Sequence, residues 1–133
     1  MTGTPPVVLI AEDEAQLRRV LRRAVEQEGY AVLAAGSAET AYELLASERA
    51  DAVLLDVHLP TMSGLALYLA IVNRWPALQG RIALMTGDAE ADDVRAWVAR
   101  NPCMVLRKPF NLQEIFDWLQ TVLHTRRRGQ VNG

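Results

Sequence analysis

Several short stretches carry groups that could handle a phosphoryl group. Val53, Leu54 and Leu55 run straight into Asp56, and a turn containing Pro60, Ser63 and Gly64 follows at once. This order puts a carboxylate on the last residue of a buried strand, facing a loop. An aspartate there can also do no more than cap the next turn, so the other groups decide. Glu12 and Asp13 follow an apolar run at 7–11, Thr86 and Gly87 follow a strand-like stretch at 81–85, and Lys108 follows another at 103–107. Three carboxylates drawn together repel and raise one another's pKa values unless a cation sits among them. A hard divalent ion is implied. Mg2+ takes oxygen ligands at about 2.0–2.1 Å and keeps several waters, which suits two or three carboxylates and a carbonyl. Lys108 is the only lysine beside thirteen arginines, and a compact ammonium at a strand end can meet Asp56 or a phosphoryl oxygen as a point charge. Thr86 adds a short hydroxyl donor, and Gly87 leaves room for a ligand. A carboxylate nucleophile, a metal ion, an ammonium and a hydroxyl together make a phosphoryl-transfer site. His58 reads as an exposed turn residue, and no His or Cys cluster offers a zinc site.

The elements that must position these groups follow from periodicity. Residues 7–11 form an unbroken apolar run of strand length, the mark of a strand buried on both faces. Leu17, Val20, Leu21, Ala24 and Val25 then keep helical spacing up to Gly29. The arginines at 18, 19, 22 and 23 lie off that stripe and read as a solvated face, with Glu14 supporting Arg18 at i, i+4. A second strand is expected at 30–34, and a helix capped by Ser37 runs to about Ser47. The third strand, 52–56, leads into a helix carrying Leu67, Ala70 and Ile71 and ended by Pro76. A fourth strand at 81–85 precedes a helix with Glu90, Asp92 and Asp93 in its first turn and Arg95 and Arg100 toward its end, in line with the helix dipole. Asn101-Pro102 stops it. The fifth strand spans 103–107, and Asn111 with Glu114 resembles a capping box opening a last helix with Leu112, Ile115, Phe116, Leu119, Val122 and Leu123 inward. Trp75, Trp97 and Trp118 share no common spacing and read as packing or interface residues.

Strands alternating with helices imply an α/β sandwich around a parallel sheet. Ligands in such sheets bind beyond the carboxyl ends of the strands, where strand order reverses. Strands one, three, four and five deliver polar groups there and strand two delivers none, which strand order 2-1-3-4-5 explains.

Composition narrows the function classes. The 133 residues, half of them hydrophobic, make one domain with a sizeable core, and a net charge of −2 gives no field for nucleic acid or an anionic membrane. The longest apolar run, 65–72, is far short of the roughly 20 residues that span a bilayer. The start lacks a signal peptide's regions, so a cytoplasmic location is expected. The single cysteine, Cys103, sits in an apolar run as a small core residue, and neither a disulfide nor a thiolate metal site can be built from it.

The acidic pair Glu12-Asp13, Asp56 followed by Leu59-Pro60 and Gly64, Thr86-Gly87, and Lys108-Pro109-Phe110 stand in an order and spacing that resembles the receiver domain of two-component response regulators. The resemblance covers residues 6–124, with flexible tails expected at 1–5 and 125–133. It implies a flavodoxin-like (βα)5 doubly wound fold. It also implies that Asp56 accepts a phosphoryl group from a histidine kinase or histidine phosphotransfer protein. Mg2+ would be held by Asp13 directly, by Glu12 partly through water, by Asp56, and by the backbone carbonyl of His58. Thr86 and Lys108 would hold phosphoryl oxygens, and the Lys108-Pro109 bond would be cis. No direct nucleic-acid binding or membrane insertion is implied, and a weak homodimer is admitted. The runs at 84–88 and 105–110 are similar to those of receivers at the C-terminus of hybrid sensor histidine kinases, which sets that origin as the expectation. Two positions depart from the family's pattern. Glu12 stands where Asp is commoner, and Val105 stands where many receivers carry an aromatic residue that swings inward on activation.

Two other classes compete. A phosphatase of the haloacid dehalogenase type also uses an aspartate nucleophile and Mg2+, but needs a second acid two residues beyond it, where this chain has His58. A receiver-like module that binds without phosphate normally lacks the aspartate, the acidic pair or the lysine, and all are present. The domain is therefore expected to be a phosphoacceptor that promotes its own phosphorylation and dephosphorylation, and no separate enzyme.

Overall fold

The computed structural model describes residues 3–88 and 91–132, with side chains up to Leu123. Five strands alternate with five α-helices: β1 (Val7–Ala11), α1 (Ala15–Gln27), β2 (Ala31–Ala35), α2 (Ala38–Ser47), β3 (Ala52–Asp56), α3 (Gly64–Arg74), β4 (Ile82–Thr86), α4 (Asp92–Arg100), β5 (Met104–Arg107) and α5 (Leu112–Asn132). The strands form one parallel sheet of order β2-β1-β3-β4-β5. This is the flavodoxin-like arrangement expected from the sequence, with the reversal of strand order between β1 and β3.

Alternate residues of each inner strand feed two cores. Leu9, Val53, Leu55, Ile82 and Leu84 pack under α2, α3 and α4, together with Leu45, Leu67, Ile71 and Val94. Val8, Ile10, Leu54, Ala83 and Met85 pack on the other face, under Leu21 and Val25 of α1 and Ile115 and Leu119 of α5. All residues of β3 and β4 are buried. Each large apolar side chain removed from water there contributes about 1.5–3 kcal/mol, so the strand ends that carry the site are rigid stems.

Helix ends are set locally. Ser37 Oγ accepts from the backbone N–H of Thr40, and Ser63 Oγ from that of Ala66. Asn111 Oδ1 accepts from Gln113 N at 2.9 Å. Gly29, with φ of 99°, follows the end of α1 in the left-handed region that glycine adopts without a Cβ clash. Pro76 both follows the end of α3 and opens a single 3-10 turn, Pro76–Leu78. Tyr68 meets the buried Trp97 edge-on at 4.9 Å, and Trp75 packs on Tyr42 at 5.1 Å, as packing residues do.

Four expectations shift. β2 and β4 each sit one residue later than their apolar runs suggest, which makes Thr86 the last residue of β4. β5 begins at Met104. The backbone of α5 stays helical to Asn132, past the expected end near 124, because 125–128 hold no breaker and a lone glycine costs only about 1 kcal/mol. Glu90 lies outside the described residues.

Candidate functional site

Each group at the carboxyl edge of the sheet is fixed by continuation of strand pairing. Glu12 N donates to Ala35 O at 3.0 Å, which carries the β1–β2 pairing one residue past β1. Glu12 is thereby held in line with the sheet and buried, whereas Asp13 turns out into solvent. Val57 N donates to Met85 O at 3.0 Å, and His58 N donates to Asp56 Oδ1 at 2.9 Å. That second bond is an Asx turn, which fixes the carboxylate with Oδ1 held by the backbone and Oδ2 turned toward the site. The cap reading of Asp56 therefore holds for Oδ1 alone. The His58 side chain is exposed, as the sequence suggests.

The loop after Asp56 folds tightly onto the strand end. Gly64 N donates to Val57 O at 2.8 Å, and a Cβ on Gly64 would stand 2.1 Å from the backbone oxygen of Asp56. Only glycine allows this approach. Thr61, at φ of 65°, holds the left-handed corner of the loop, and its hydroxyl donates to Glu39 at 2.5 Å. That bond holds the exposed Glu39 carboxyl below its usual pKa.

Lys108 closes the site from β5. Its backbone N–H donates to Thr86 O at 2.9 Å, and its Nζ stands 3.1 Å from Asp56 Oδ2 and 2.8 Å from Glu12 Oε1. Burial pulls the Lys108 pKa down, but the attraction of Glu12 and Asp56 for the ammonium more than offsets this and holds it above the ordinary value. The Lys108-Pro109 bond is cis, as the resemblance implies. Thr86 is fully buried one residue beyond the partner of Asp56 on β4, and its Oγ1 accepts from Asp88 N at 3.1 Å. Since that bond uses a lone pair, the hydroxyl proton remains free to donate.

Carboxylate oxygens of Glu12, Asp13 and Asp56 all lie within 4.8 Å of one another. Glu12 Oε1 is buried and, apart from its ion pair with Lys108 Nζ at 2.8 Å, has no hydrogen-bond partner among the described residues. A cluster of hard oxygen donors with one buried oxygen left under-satisfied fits Mg2+.

Helical spacing predicts a solvated Arg18 supported by Glu14, and the structure differs. Its Nη1 donates back to Glu12 O at 2.7 Å, with Asp13 O at 3.4 Å. The guanidinium packs on Gly36 after β2, where a Cβ would stand 3.0 Å from Nη1. Arg18 thus clamps the backbone of the acidic pair from behind. The sequence signal that could have found it is the pairing of an arginine one turn into α1 with a glycine at the end of the adjacent strand.

The model of the response regulator receiver domain family matches residues 8–120 of this chain. The chain belongs to that family. Receiver domains bind Mg2+ and interact with histidine kinases or phosphotransfer proteins, and this one is a receiver domain of two-component response regulators. The response regulator receiver protein CpdR of Brucella abortus is 32% identical over 123 residues, covering 87% of this chain and 95% of CpdR. Other relatives are longer. The probable transcriptional regulatory protein TcrX of Mycobacterium tuberculosis is 32% identical over 127 residues, 96% of this chain but 53% of TcrX. The sensor histidine kinase AruS of Pseudomonas aeruginosa is 35% identical over 122 residues, 85% of this chain and 12% of AruS. The chain thus spans about half or less of several relatives it matches. Among solved structures, the signal receiver domain of an HD domain-containing protein from Pseudomonas fluorescens Pf-5 superposes with a TM-score of 0.83 at 25% identity, over 98% of this chain and 95% of that one. TrrA of Thermotoga maritima, in complex with Mg2+-BeF, gives a TM-score of 0.76 at 25% identity over 89% of this receiver and 99% of TrrA.

Proposed function

We propose that Asp56 is the phosphoacceptor of this receiver, in a Mg2+-dependent reaction with a phosphohistidine of a histidine kinase or phosphotransfer protein. The observation that carries the reading is the buried strand-end carboxylate of Asp56 with Lys108 Nζ 3.1 Å from its Oδ2. Oδ2 attacks phosphorus, the O–P bond forms, and the P–N bond to the donor imidazole breaks. The His58 N–H bond to Oδ1 keeps the nucleophile in one orientation. Lys108 moves from neutralising Asp56 and Glu12 to meeting a phosphoryl oxygen, and the free proton of Thr86 is donated to another. Glu12, Asp13 and Asp56, with the carbonyl of His58, would hold Mg2+. Bound there, the ion neutralises charge on the phosphoryl oxygens. The domain so promotes its own phosphorylation and, with water as acceptor, its own dephosphorylation.

A groove beside the nucleophile supports docking of the donor there. This groove, of about 460 Å³ beside Lys108, is lined by Leu17, Val20, Leu21, Phe110 and Leu112, and Val20 is half exposed. An apolar groove next to the nucleophile suits the helix that carries a phosphohistidine. The similarity to a sensor histidine kinase supports that source. No helix among the described residues is long and apolar enough to cross a membrane, and a cytoplasmic location is part of the proposal.

Incubation with Mg2+ and a small phosphodonor tests the reading. A mass gain of one stable phosphoryl group supports it. Repeated turnover of the donor without accumulation indicates a phosphatase, and no reaction indicates a module that binds without phosphate.

A further inference from the structure

Helix α3 has an unusual outer face. From Gly64 to Asn73 it carries no charged residue, although Ala66, Leu69 and Asn73 are exposed on it. Leu69 is 46% exposed, and Met62 just before the helix is 40% exposed. The outer faces of α1 and α5 are different, with Arg19, Arg22, Arg23 and Glu26 on the first and Glu114 and Asp117 on the second. A surface helix ordinarily carries charged residues on its outer face, whereas α3 packs its inner side through Leu67, Tyr68 and Ile71 and leaves Ala66, Leu69 and the uncharged Asn73 outside. Beside it an open groove of about 480 Å³ is lined by Tyr42, Met62, Leu67 and Ala70 and rimmed by Glu39 and Glu43 of α2. Exposed apolar side chains beside an open groove can serve as a contact surface.

We infer that this face is covered by a second copy of the chain, with the two α3 helices antiparallel across a two-fold axis. Leu69 supplies a knob, and Ala66 and Ala70 supply adjoining hollows, so the surface is complementary to itself as an isologous contact requires. Charge sets the direction. Glu39 is tied through Thr61 to the start of α3, and Arg74 is its last residue. Arg74 is held in place over the rings of Tyr42 and Trp75, at 5.5 and 4.9 Å to their centroids, with a hydrogen bond to the Tyr42 hydroxyl. An antiparallel pair brings Arg74 of each copy to the Glu39 end of the other, whereas a parallel pair sets like charges together. A foreign basic helix would satisfy the acidic rim but would leave Arg74 facing its own charge. Two three-turn helices bury less than the roughly 1,200 Å² of a standard interface, so the contact is of the weak, transient class and is to be sought at protein concentrations of about 10–100 μM.

Sedimentation equilibrium across that concentration range tests this. The wild-type receiver should pass from monomer to dimer, and Leu69→Glu should stay monomeric with an unchanged circular dichroism spectrum, since the side chain is exposed. Glu39→Arg and Arg74→Glu should each weaken the dimer about tenfold or more by opposing like charges, and the double variant Glu39→Arg/Arg74→Glu should regain most of that loss. A wild-type chain that stays monomeric, a dimer untouched by Leu69→Glu, or a double variant no stronger than the single ones would overturn the inference.

Discussion

The ammonium of Lys108 stands 3.1 Å from Oδ2 of Asp56, joining the end of β5 to the end of β3. The same Nζ reaches Glu12 Oε1 at 2.8 Å, so one cation holds two buried carboxylates in register. Lys108→Arg keeps the charge but replaces a compact ammonium with a planar fork. Phosphorylation by a small phosphodonor should slow by roughly 10–100-fold, the usual cost of moving a reacting group by about an ångström. An unchanged rate would make Lys108 an electrostatic bystander. The sign of its pH dependence also follows. The folded pKa lies above the ordinary 10.5, so the stability from this lysine is complete below 10.5 and is lost only as the pH rises through the folded pKa. The Lys108 contribution to thermal stability should therefore be flat between about pH 7 and 9, as comparison with Lys108→Met across that range would read.

Gly64→Ala would press a methyl group to within 2.1 Å of the Asp56 carbonyl oxygen, a backbone atom that cannot yield without moving the strand end. The variant should lose about 2–3 kcal/mol or more in urea unfolding. An unchanged midpoint would show that the loop at 57–63 is looser than its hydrogen bonds indicate.

Arg18 acts on the site only through the backbone of Glu12 and Asp13. Arg18→Ala should weaken Mg2+ binding about tenfold, as loss of supporting contacts behind metal ligands does. Gly36→Ala should reproduce part of that loss by pushing the guanidinium away, and the double variant should be no worse than Arg18→Ala. Titration calorimetry with Mg2+ alone reads this. Fully additive losses would mean that Gly36 acts by a separate route.

Strand positions were legible in the sequence because each inner strand is an unbroken apolar run buried on both faces, and the polar residue after each run lands at the same sheet edge. Glu12, Asp56, Thr86 and Lys108 come together for that reason. The rest is tertiary. That Glu12 is buried while Asp13 is exposed depends on the bond from Glu12 N to Ala35 O, and β2 and β4 gain their last residues from neighbouring strands. The role of Arg18 is not legible in the sequence, because helical spacing places it off the apolar stripe of α1 while its side chain curls back to the preceding loop. The closeness of Gly64 to Asp56 likewise appears only once the loop is folded.

Val105 bears on how a change at the site could spread. It is half-buried and lines a groove of about 420 Å³ with Val94, Val98 and Ala99. A side chain this short, with a stiff χ1, cannot transmit a change by ring rotation. With Mg2+ and beryllofluoride, a phosphoryl mimic, amide NMR shifts should be largest at Asp13, at 56–63, and at 86–88 with Ala91. Shifts at Val105 and Trp118 should be small. Largest changes at Val105, Trp97 and Trp118 would show that the α4 face switches without an aromatic lever.

The assignment of Asp56 is tested most directly by locating the phosphoryl group in the wild-type chain. Borohydride reduces an acyl phosphate to the alcohol and so marks the acceptor permanently as homoserine. After treatment with Mg2+ and a small phosphodonor, tandem mass spectrometry of the reduced protein should find homoserine at position 56 alone, and Asp56→Asn should show none. Homoserine at position 13 or at any other aspartate, or undiminished labelling of Asp56→Asn, would contradict the account.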